Sequence, residues 1–541
     1  MIAVRYHDST KHHFNRFARS LGYLDWATQP NPFRRYEGAP LRPLSHEPLA
    51  GDVPYEGLFT GGVPAQPITE HSKGEFLRCS MGLSAWKQYG QSRWALRVNP
   101  SSGNLHPTEA WIVHDGRVCH YAPREHALED RCVVQSPVAR AFMARDDCFL
   151  VALTSIAWRE AWKYGERAFR YCQHDAGHAI GALRLSAAML GWTLRLLPEW
   201  SDAQMAALLG LDRVDDYDQA EPEEPECIAV VGREAAAGRD PGSGIRDPKV
   251  LIEGARSGSW FGRANRLSIG RVEWPIIDEV AAATRYPGTS EPSNLEPPNP
   301  EPRTAEARTT GAQPRAREII LQRRSALSFD PRGYLQRDAF LSILDRLQPG
   351  APPGSPSPWD AIDWPPHVHL VLFIHRVENL TPGIYAYLRD PAVLDEWKAA
   401  MRPEFLWEAA TDRPGLFLLV PIDAGRIANR VSCDQDIAEE GFFGLAMIAR
   451  FEQPLRDRGE WFYRRLFWEC GLIGQVLYLE AEAAGGRATG IGCYYDDPVH
   501  DLVGLSGHAW QSLYHFSMGL PVEDTRLTSE PGYAWEFVGP T

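Results

Sequence analysis

The order of hydrophobic and polar residues in the C-terminal half of the chain predicts an alternation of helices and strands. Apolar residues recur with a helical period over 334–346, 433–451 and 463–484. The runs HVHLVLFIHR (367–376) and SLYHFSMG (512–519) are rich in β-branched and aromatic residues and predict strands. Long helices between separated strands indicate an α+β layer fold.

The N-terminal half shows the same order of patterns. AWIVHDGRVCHY (110–121) predicts a hairpin, 166–190 a long helix, and CIAVVG (227–232) a closing strand. Each half is therefore expected to contain its own mixture of α and β structure.

The two halves are also related residue by residue. Residues 165–211 align without a gap on 459–505, at a constant offset of 294, with twelve identities in forty-seven positions. Average composition would give roughly three identities by chance. The spacing is far too long for a solenoid repeat, so we infer two copies of one domain, fused head to tail and packed as an intramolecular pseudo-dimer.

A segment of different composition separates the two copies. Residues 286–316 are rich in Pro, Glu, Thr and Ser, have almost no large apolar side chain, and cannot bury a core. We interpret this segment as a linker long enough to reach across a domain. It divides the chain into an N-terminal domain (1–285) and a C-terminal domain (317–541).

Composition narrows the class of protein. With 541 residues, 44% of them hydrophobic, the chain can bury two sizeable cores. No apolar run reaches the roughly eighteen residues of a membrane span, and the N-terminus has no signal pattern, so we expect a cytoplasmic protein without a membrane partner. The net charge of −14 argues against nucleic acid as a partner, because phosphate binding needs a basic face.

Metal chemistry is not expected from the sequence. The nine cysteines include no Cys-x-x-Cys pair, which argues against a zinc knuckle, an iron–sulfur cluster or a disulfide framework. His174 and His178 lie four apart on a predicted helix, but no third ligand stands at a diagnostic spacing. We interpret both histidines as packing or hydrogen-bonding residues.

Four segments carry residues suited to a phosphate or a planar ligand. LQRRSALSF (321–329) supplies two guanidinium groups and a hydroxyl as a compact phosphate clamp, and GLPVEDTRL adds a later cation. RVNPSSGNLHP (97–107) offers hydrogen-bonding groups on a loop shaped by Pro and Gly. ATGIGCYYDD (488–497) contains a turn whose backbone N–H groups could approach a planar ligand unobstructed by side chains. The candidate binding residues are Arg97, Pro100, Ser101, Ser102, Asn104, Arg323, Arg324, Ser325, Gly490, Ile491, Gly492 and Arg526.

Each segment alone also has an ordinary structural interpretation, namely surface charge for the arginines and a simple turn for the loop. Taken together, they resemble the flavin site of the nitroreductase superfamily, whose members are α+β homodimers with FMN at the subunit interface. In that family an Arg-Ser type motif and a late basic residue hold the phosphate. A Gly-containing turn lies along the flavin ring, and a Pro-Ser-Ser-x-Asn loop comes from the opposite subunit.

The matching motifs are divided between the two copies. The clamp, the glycine turn and Arg526 lie in the C-terminal copy, and the Pro-Ser-Ser-Gly-Asn loop lies in the N-terminal copy. At the position of Gly490-Ile491-Gly492 the first copy has Leu196-Leu197-Pro198. The resemblance therefore implies one complete site, and one FMN per chain.

Within the superfamily, the chain is most similar to the SagB/ThcOx-type dehydrogenases, which oxidise azoline rings of ribosomal peptides to azoles. The similarity is carried by YHDSTKH (6–12), SMGLSAWK (80–87), NPSSGNLHPTE (99–109) and WKYGERAFRYCQHDAGH (162–178). The family's catalytic Lys-Tyr pair maps onto Lys163 and Tyr164, with Tyr164 as base or proton relay and Lys163 lowering its pKa. A pair that only caps a surface helix remains the alternative, and typical family members are shorter, with one recognisable flavin domain.

The resemblance leaves three functions open. The first is dehydrogenation of a peptide or peptide-derived substrate, with other peptide-modifying enzymes as candidate partners. The second is NAD(P)H-dependent reduction of nitro compounds or quinones, and the third is a non-catalytic scaffold subunit of a peptide-modifying complex. Fold cannot decide among them, because this superfamily hosts several reactions. Oligomerisation beyond the pseudo-dimer also stays open.

Overall fold

Two large antiparallel sheets, one in each half of the chain, organise the structure. The computed structural model describes residues 1–49, 51, 53–233, 248–289, 314–349 and 357–537. In the N-terminal half the spatial order of strands is Ser259–Trp260, Ala127–Val133, Arg117–Ala122, Thr108–His114, Cys148–Ser155, Glu224–Gly232 and Thr193–Leu196, with Leu41–Pro43 pairing on Ala127–Val133. In the C-terminal half it is Glu408–Ala409, Leu416–Pro421, Gly383–Tyr387, Val368–Ile374, Phe443–Arg450, Trp510–Gly519 and Arg487–Ile491.

The two sheets share one topology. When the six longer strands of each half are numbered along the chain, both sheets have the spatial order third, second, first, fourth, sixth, fifth. This match, together with mixed helices and strands in each half, confirms the predicted α+β fold with two tandem domains.

Helices cover the faces of the sheets. In the N-terminal half they span Ile2–Ser9, Gly57–Thr60, Glu70–Arg78, Pro137–Met143, Ala157–Tyr164, Ala168–Met189, Asp202–Leu209, Pro248–Arg256 and Pro275–Ala283. In the C-terminal half they span Ala316–Gln322, Arg337–Arg346, Leu394–Ala400, Gly425–Val431, Ile437–Glu440, Glu452–Arg458, Phe462–Ala483 and Asp496–Val503. We call Ala168–Met189 and Phe462–Ala483 the N-terminal and C-terminal long helices.

The long helices form the pseudo-dimer interface. Both are 22 residues long, and their bounds differ by the offset of 294 found in the sequence. Every residue of the N-terminal long helix is buried, because it packs on its own sheet and on its counterpart. Gly177 and Gly471 allow this close approach: a Cβ at Gly177 would overlap the carbonyl oxygen of Trp468, and a Cβ at Gly471 that of His174. Since His174 and Trp468 also differ by 294, the contact is self-complementary, as in a two-fold dimer.

Segments near both ends of the chain also contact the opposite domain. The first helix, Ile2–Ser9, packs on the C-terminal domain, where His7 hydrogen-bonds Gln511 (3.0 Å). Near the other end, strand Thr528–Pro531 pairs with Leu83–Tyr89 of the N-terminal domain, beside Ser92–Arg97. A smaller pairing joins Tyr36–Glu37 to Arg263–Ala264.

One predicted element is wrong. Residues 433–451, expected to form a long helix, contain a helical turn at Ile437–Glu440 and then the strand Phe443–Arg450. This strand lies in the centre of the sheet, so its residues are buried on both faces and the period-two alternation of a half-exposed strand is missing.

The other predicted elements are confirmed. The helices expected over 166–190, 334–346 and 463–484, the hairpin over 110–121, and the strands over 227–232, 367–376 and 512–519 are all present to within a few residues. Most of the predicted linker, residues 290–313, lies outside the described residues. None of the described helices is both long enough and apolar enough to cross a membrane.

Candidate functional site

The predicted phosphate clamp lies where the two halves of the chain meet. Arg323 follows the helix Ala316–Gln322 and is 3% exposed. Its guanidinium donates to the backbone carbonyls of Val98 (3.2 Å) and Arg97 (3.1 Å), directly before the Pro-Ser-Ser-Gly-Asn loop. Its Nη1 is buried and has no hydrogen-bond partner among the described residues.

Arg324 adds a second cation. It donates to the backbone carbonyl of Ser84 (2.9 Å), and no carboxylate of the described residues forms an ion pair with either guanidinium. Burial, with the nearby Arg323 charge, lowers the pKa of Arg324 to about 10, and burial lowers the pKa of Arg323. The Glu482 carboxylate accepts from the backbone N–H of Arg324 (3.0 Å) and pairs with Arg487, so it does not neutralise either guanidinium through an ion pair. Two partly desolvated cations of this kind are suited to an anionic ligand.

Tyr478, on the C-terminal long helix, connects the clamp to the glycine turn. Its hydroxyl is hydrogen-bonded to Ser325 Oγ (2.9 Å) and accepts from the backbone N–H of Gly490 (2.9 Å). The Arg323 guanidinium lies 4.9 Å from the Tyr478 ring centroid. No sequence pattern singles out this tyrosine, because it is one aromatic residue among several on a buried helix.

The glycine turn is packed against tyrosines, which corrects the expectation of an unobstructed backbone. A Cβ at Gly490 would overlap the hydroxyl of Tyr514, and a Cβ at Gly492 would overlap the ring of Tyr171. Ile491, between them, is buried in the C-terminal core. The tyrosine packing alone therefore accounts for both glycines, and the turn is not independent evidence for a planar ligand.

The Pro-Ser-Ser-Gly-Asn loop, at residues 100–104, is held by its own hydrogen bonds. Ser101 Oγ accepts from the backbone N–H of His106 (2.7 Å). Asn104, in the left-handed region at φ 59°, donates to the carbonyl of Ala95 (2.9 Å). Ser102 makes a further contact, with the N-terminal long helix.

That contact is with Asp175, which follows His174 on the helix and was not among the residues predicted for the site. The backbone N–H and the hydroxyl of Ser102 both donate to its carboxylate (3.1 Å each). Burial raises the pKa of Asp175 to about 7, although the Ser101 hydroxyl and the bonds from Ser102 act in the opposite direction. Glu160 is fully buried nearby, and burial with the charge of Asp175 raises its pKa well above the usual range. Buried carboxyl groups of this kind are candidates for proton transfer near neutral pH.

Lys163 and Tyr164 lie against the same loop. A Cβ at Gly103 would lie 2.6 Å from Tyr164 Oη and 3.2 Å from Lys163 Nζ. The Tyr164 ring is tilted against Tyr171, with centroids 4.3 Å apart. The predicted pair thus joins the loop to Tyr171, which packs on Gly492 of the glycine turn.

The pKa of Tyr164 is raised, whereas Lys163 was expected to lower it. Burial, followed by the negative charge of Glu160, raises the pKa of Tyr164 well above its ordinary value. Lys163 is exposed, and its Nζ lies 5.2 Å from the Tyr164 ring centroid. The raised pKa therefore favours Tyr164 as a proton donor or relay over a base.

Two other predicted residues do not present their side chains to the clamp. The Arg97 guanidinium donates to the carbonyls of Thr108 (3.2 Å) and Pro32 (2.5 Å) inside the N-terminal domain, so Arg97 offers only its backbone carbonyl, to Arg323. Arg526 is exposed and pairs with Asp524 (2.8 Å). Arg487, the first residue of strand Arg487–Ile491, is the further cation whose charge acts on both arginines of the clamp.

The corresponding position of the first copy is filled by apolar side chains. Leu196 ends strand Thr193–Leu196, and both Leu196 and Leu197 are buried. Pro198 follows them and accepts a hydrogen bond from Tyr286 (2.8 Å). The glycine turn is thus a feature of the C-terminal copy.

The sequence profile of the Nitroreductase family matches residues 87–233 and 320–520, one segment in each half and well over half of the chain. This chain belongs to the Nitroreductase family. The matched segments contain the loop, the Lys163–Tyr164 pair, the clamp and the glycine turn, and they confirm two tandem nitroreductase-like domains.

Solved structures agree with this nitroreductase fold. The chain is similar to a putative nitroreductase from Anabaena variabilis, with 19% identity, a TM-score of 0.66, and coverage of 96% of this chain and 99% of that one. The likeness therefore extends over both domains. No functionally curated protein matches the sequence significantly.

Two further similarities are weaker. One is to the E. coli microcin synthetase McbBCD complex with truncated pro-MccB17 bound (17% identity, TM-score 0.29, 43% of this chain and 79% of that one). The other is to a putative nitroreductase in complex with FMN from Exiguobacterium sibiricum (14% identity, TM-score 0.21, 38% of this chain and 88% of that one). At these TM-scores neither bears on the function of this nitroreductase-family chain.

Proposed function

We propose that this chain is an FMN-dependent oxidoreductase that dehydrogenates a peptide or peptide-derived substrate, with one FMN per chain between its two domains. The observation that carries the proposal is the position of Asp175. This carboxyl group is buried, has a pKa of about 7, and is oriented by Ser102 of the loop that also contacts Lys163 and Tyr164. Dehydrogenation removes a proton together with a hydride, and it therefore needs a base of this kind.

The residues present fit the phosphate end of FMN. Arg323 is buried and Arg324 is half-buried, neither guanidinium forms an ion pair among the described residues, and Arg323 Nη1 has no hydrogen-bond partner there. The Ser325 side chain is exposed beside them and supplies a hydroxyl. Arginine and serine donors with a net positive charge are the usual set for a phosphate monoester.

When bound, FMN would supply the acceptor for the hydride. Asp175, in its ionised form, would take the proton from the substrate, and Ser102 would hold the carboxylate in position through two hydrogen bonds. Tyr164, which stays protonated, would pass a proton between this site and solvent. The exposed Lys163 beside Gly103 would contact an acidic or carbonyl group of the substrate.

The proposed substrate class comes from the resemblance to the SagB/ThcOx-type dehydrogenases. The Lys163–Tyr164 pair and the NPSSGNLHPTE segment carry this resemblance, and the structure brings both to one place. Other peptide-modifying enzymes are the proposed partners, and the cytoplasm is the proposed location.

The proposal is tested first by the flavin content of the purified chain. We expect a flavin absorbance spectrum and one FMN released per chain. Arg323→Gln and Arg324→Gln should each release FMN more readily, because each removes charged donors to the phosphate. Arg332→Gln is the matched control, since Arg332 is exposed and, among the described residues, pairs only with the neighbouring Asp330. Two FMN per chain would contradict the single site, and protein that fails to take up added FMN would contradict the proposal as a whole.

The type of reaction is tested by the electron donor. Anaerobic holoenzyme should be bleached by a peptide that contains a thiazoline or oxazoline ring, and the ring should appear as the azole in the product. Rapid bleaching by NADPH with no reaction of the ring peptide would instead identify a nitro- or quinone-reductase.

A further inference from the structure

Two cysteines and a histidine from three separate segments meet next to the glycine turn. Cys493 directly follows Gly492, Cys433 lies sixty residues earlier, and His12 comes from the N-terminal segment. The two Sγ atoms are 2.9 Å apart, and His12 Nδ1 is 3.7 Å from Cys493 Sγ. Its members share no local spacing, so no sequence pattern predicts the group.

The exposure of the pair sets it apart from the other cysteines. Cys433 and Cys493 are both partly exposed, whereas the other seven cysteines are buried. Cys433 and Asp434 both have positive φ angles, 57° and 55°, in a region that L-residues seldom occupy. Such backbone strain, held by the surrounding fold, is typical of functional positions.

We propose that Cys433 and Cys493 form a redox-active dithiol that exchanges with low-molecular-weight disulfides. In the first step the Cys493 thiolate attacks one sulfur of a disulfide RSSR, forming a mixed disulfide and releasing one thiolate RS⁻. In the second step Cys433 loses its proton and attacks the Cys493 sulfur, forming the Cys433–Cys493 disulfide and releasing the second RS⁻. The dithiol is oxidised by two electrons, and RSSR is reduced to two thiols.

The surroundings of the pair suit these two steps. The hydrogen bond from Cys433, followed by the contact with His12, lowers the pKa of Cys493 to about 5. The same hydrogen bond raises the pKa of Cys433. Cys493 is therefore the thiolate that attacks first at neutral pH, and Cys433 is the resolving thiol.

The short sulfur–sulfur distance favours a dithiol over a metal site. His12, Cys433 and Cys493 could also offer three ligands, since their donor atoms all lie within 4.8 Å of one another. Two thiolates on a tetrahedral zinc ion, with Zn–S near 2.3 Å, stand about 3.8 Å apart, farther than the 2.9 Å seen here. A disulfide requires the sulfurs to move closer, to about 2.05 Å.

The two cysteine segments are already held together in a way that leaves the sulfurs free to react. The Gln435 side chain donates to the carbonyls of Cys493 (2.9 Å) and Ser432 (2.8 Å), so it bridges the segments through their backbones. A disulfide would join the same segments covalently, one residue away from the turn packed on Tyr171. The proposal does not depend on FMN, because thiol exchange uses only these residues and RSSR.

The test uses the full chain equilibrated in buffers of reduced and oxidised glutathione, then quenched and labelled with a thiol-specific reagent. We expect two thiols per chain to be lost together as the buffer becomes oxidising, and peptide mapping to identify the Cys433–Cys493 disulfide. In Cys433→Ser, a stable glutathione adduct should accumulate on Cys493, whereas in Cys493→Ser adduct formation on Cys433 should be much slower. Cys227→Ser, at a buried position, is the control and should behave like the unaltered chain.

Three outcomes would overturn the proposal. Retention of both labels in fully oxidising buffer would refute the redox-active dithiol, and so would single adducts on both cysteines that never resolve into a disulfide. Protection of both thiols by added Zn²⁺ alone, reversed by a chelator and without any disulfide, would identify a metal site instead. Because the first experiment uses the unaltered chain, none of these outcomes depends on whether a variant folds.

Discussion

Arg170, on the N-terminal long helix, and Asp496, in the C-terminal domain, form a buried ion pair with a distance of 2.7 Å. Arg167 reaches the other oxygen of the same carboxylate (2.9 Å). A related pair, Arg464 with Asp202 (2.5 Å), crosses the interface in the opposite sense. Arg170 and Arg464, like Asp202 and Asp496, differ by 294, so the duplication has preserved a reciprocal ion pair between the two copies.

Removing one partner of this pair should destabilise the whole chain. In Asp496→Asn, two buried guanidinium groups lose their counter-charge, and we expect a loss of about 3–5 kcal/mol in the free energy of unfolding. Urea unfolding at neutral pH measures this loss. Asp501→Asn lies on the same helix at an exposed position and should change stability by about 0.5 kcal/mol or less. Equal stability of the two variants would show that the ion pair does not stabilise the interface.

The close crossing of the long helices should make the stability of the chain depend on Gly177. Gly177→Ala would place a methyl group on the carbonyl oxygen of Trp468, so the helices must separate, at a cost of about 1–3 kcal/mol or more. The control is Gly270→Ala, because the nearest atom to a Cβ there is 3.7 Å away. Thermal unfolding should show a clear drop for Gly177→Ala and little change for Gly270→Ala. A stable Gly177→Ala chain would contradict the close approach.

The tandem fold could be predicted because both copies retained the residues that the interface needs. Gly177 and Gly471, and Arg170 and Arg464, are identical pairs in the gapless alignment, and these positions make the contacts between the copies. The strand Phe443–Arg450 could not be recognised, since burial on both faces removes the alternation that distinguishes a strand from a helix.

The candidate site was predictable only in part. The loop, the clamp and the Lys163–Tyr164 pair were found from local motifs. In the structure the clamp contacts the residues before the loop, and the pair lies against Gly103 of the loop. Asp175, Tyr478 and the Cys433–Cys493 pair were missed because their chemistry comes from burial and from neighbours distant in sequence. A pKa near 7 for an aspartate is a property of its surroundings, and no spacing of residues encodes it.

Replacing Lys163 or Tyr164 should lower turnover without unfolding the chain. Tyr164→Phe keeps the ring that packs on Tyr171 and removes only the hydroxyl, and Lys163→Ala changes an exposed side chain. Both variants should stay folded and retain FMN, while turnover of a ring-containing peptide falls by roughly 10²-fold or more. Lys249→Ala, also at a position that is not buried, is the control for loss of a lysine. Unchanged turnover in both variants would assign the pair to a structural role.

The raised pKa of Asp175 predicts how the stability of the chain changes with pH. Its pKa is raised from 3.8 to about 7 on folding, so between these values the folded chain retains a proton that the unfolded chain has lost. The contribution of Asp175 to stability therefore falls as pH rises through this window, on the order of 1 kcal/mol per pH unit, and Asp175→Asn should remove that part of the slope. Urea unfolding of both chains at pH 5 and pH 8, within and above the window of about 4 to 7, measures the difference. Asp212→Asn, at an exposed position, should keep the slope of the unaltered chain.

The same ionisation should govern the reaction. If Asp175 takes the proton, turnover rises with pH through an apparent pKa near 7, and Asp175→Asn abolishes turnover while FMN stays bound. Glu160→Gln tests the neighbouring buried carboxyl group: it should leave the rise in place and shift its midpoint, because Glu160 is close enough for the two charges to interact. A pH profile that disappears in Glu160→Gln and survives in Asp175→Asn would transfer the role of base from Asp175 to Glu160.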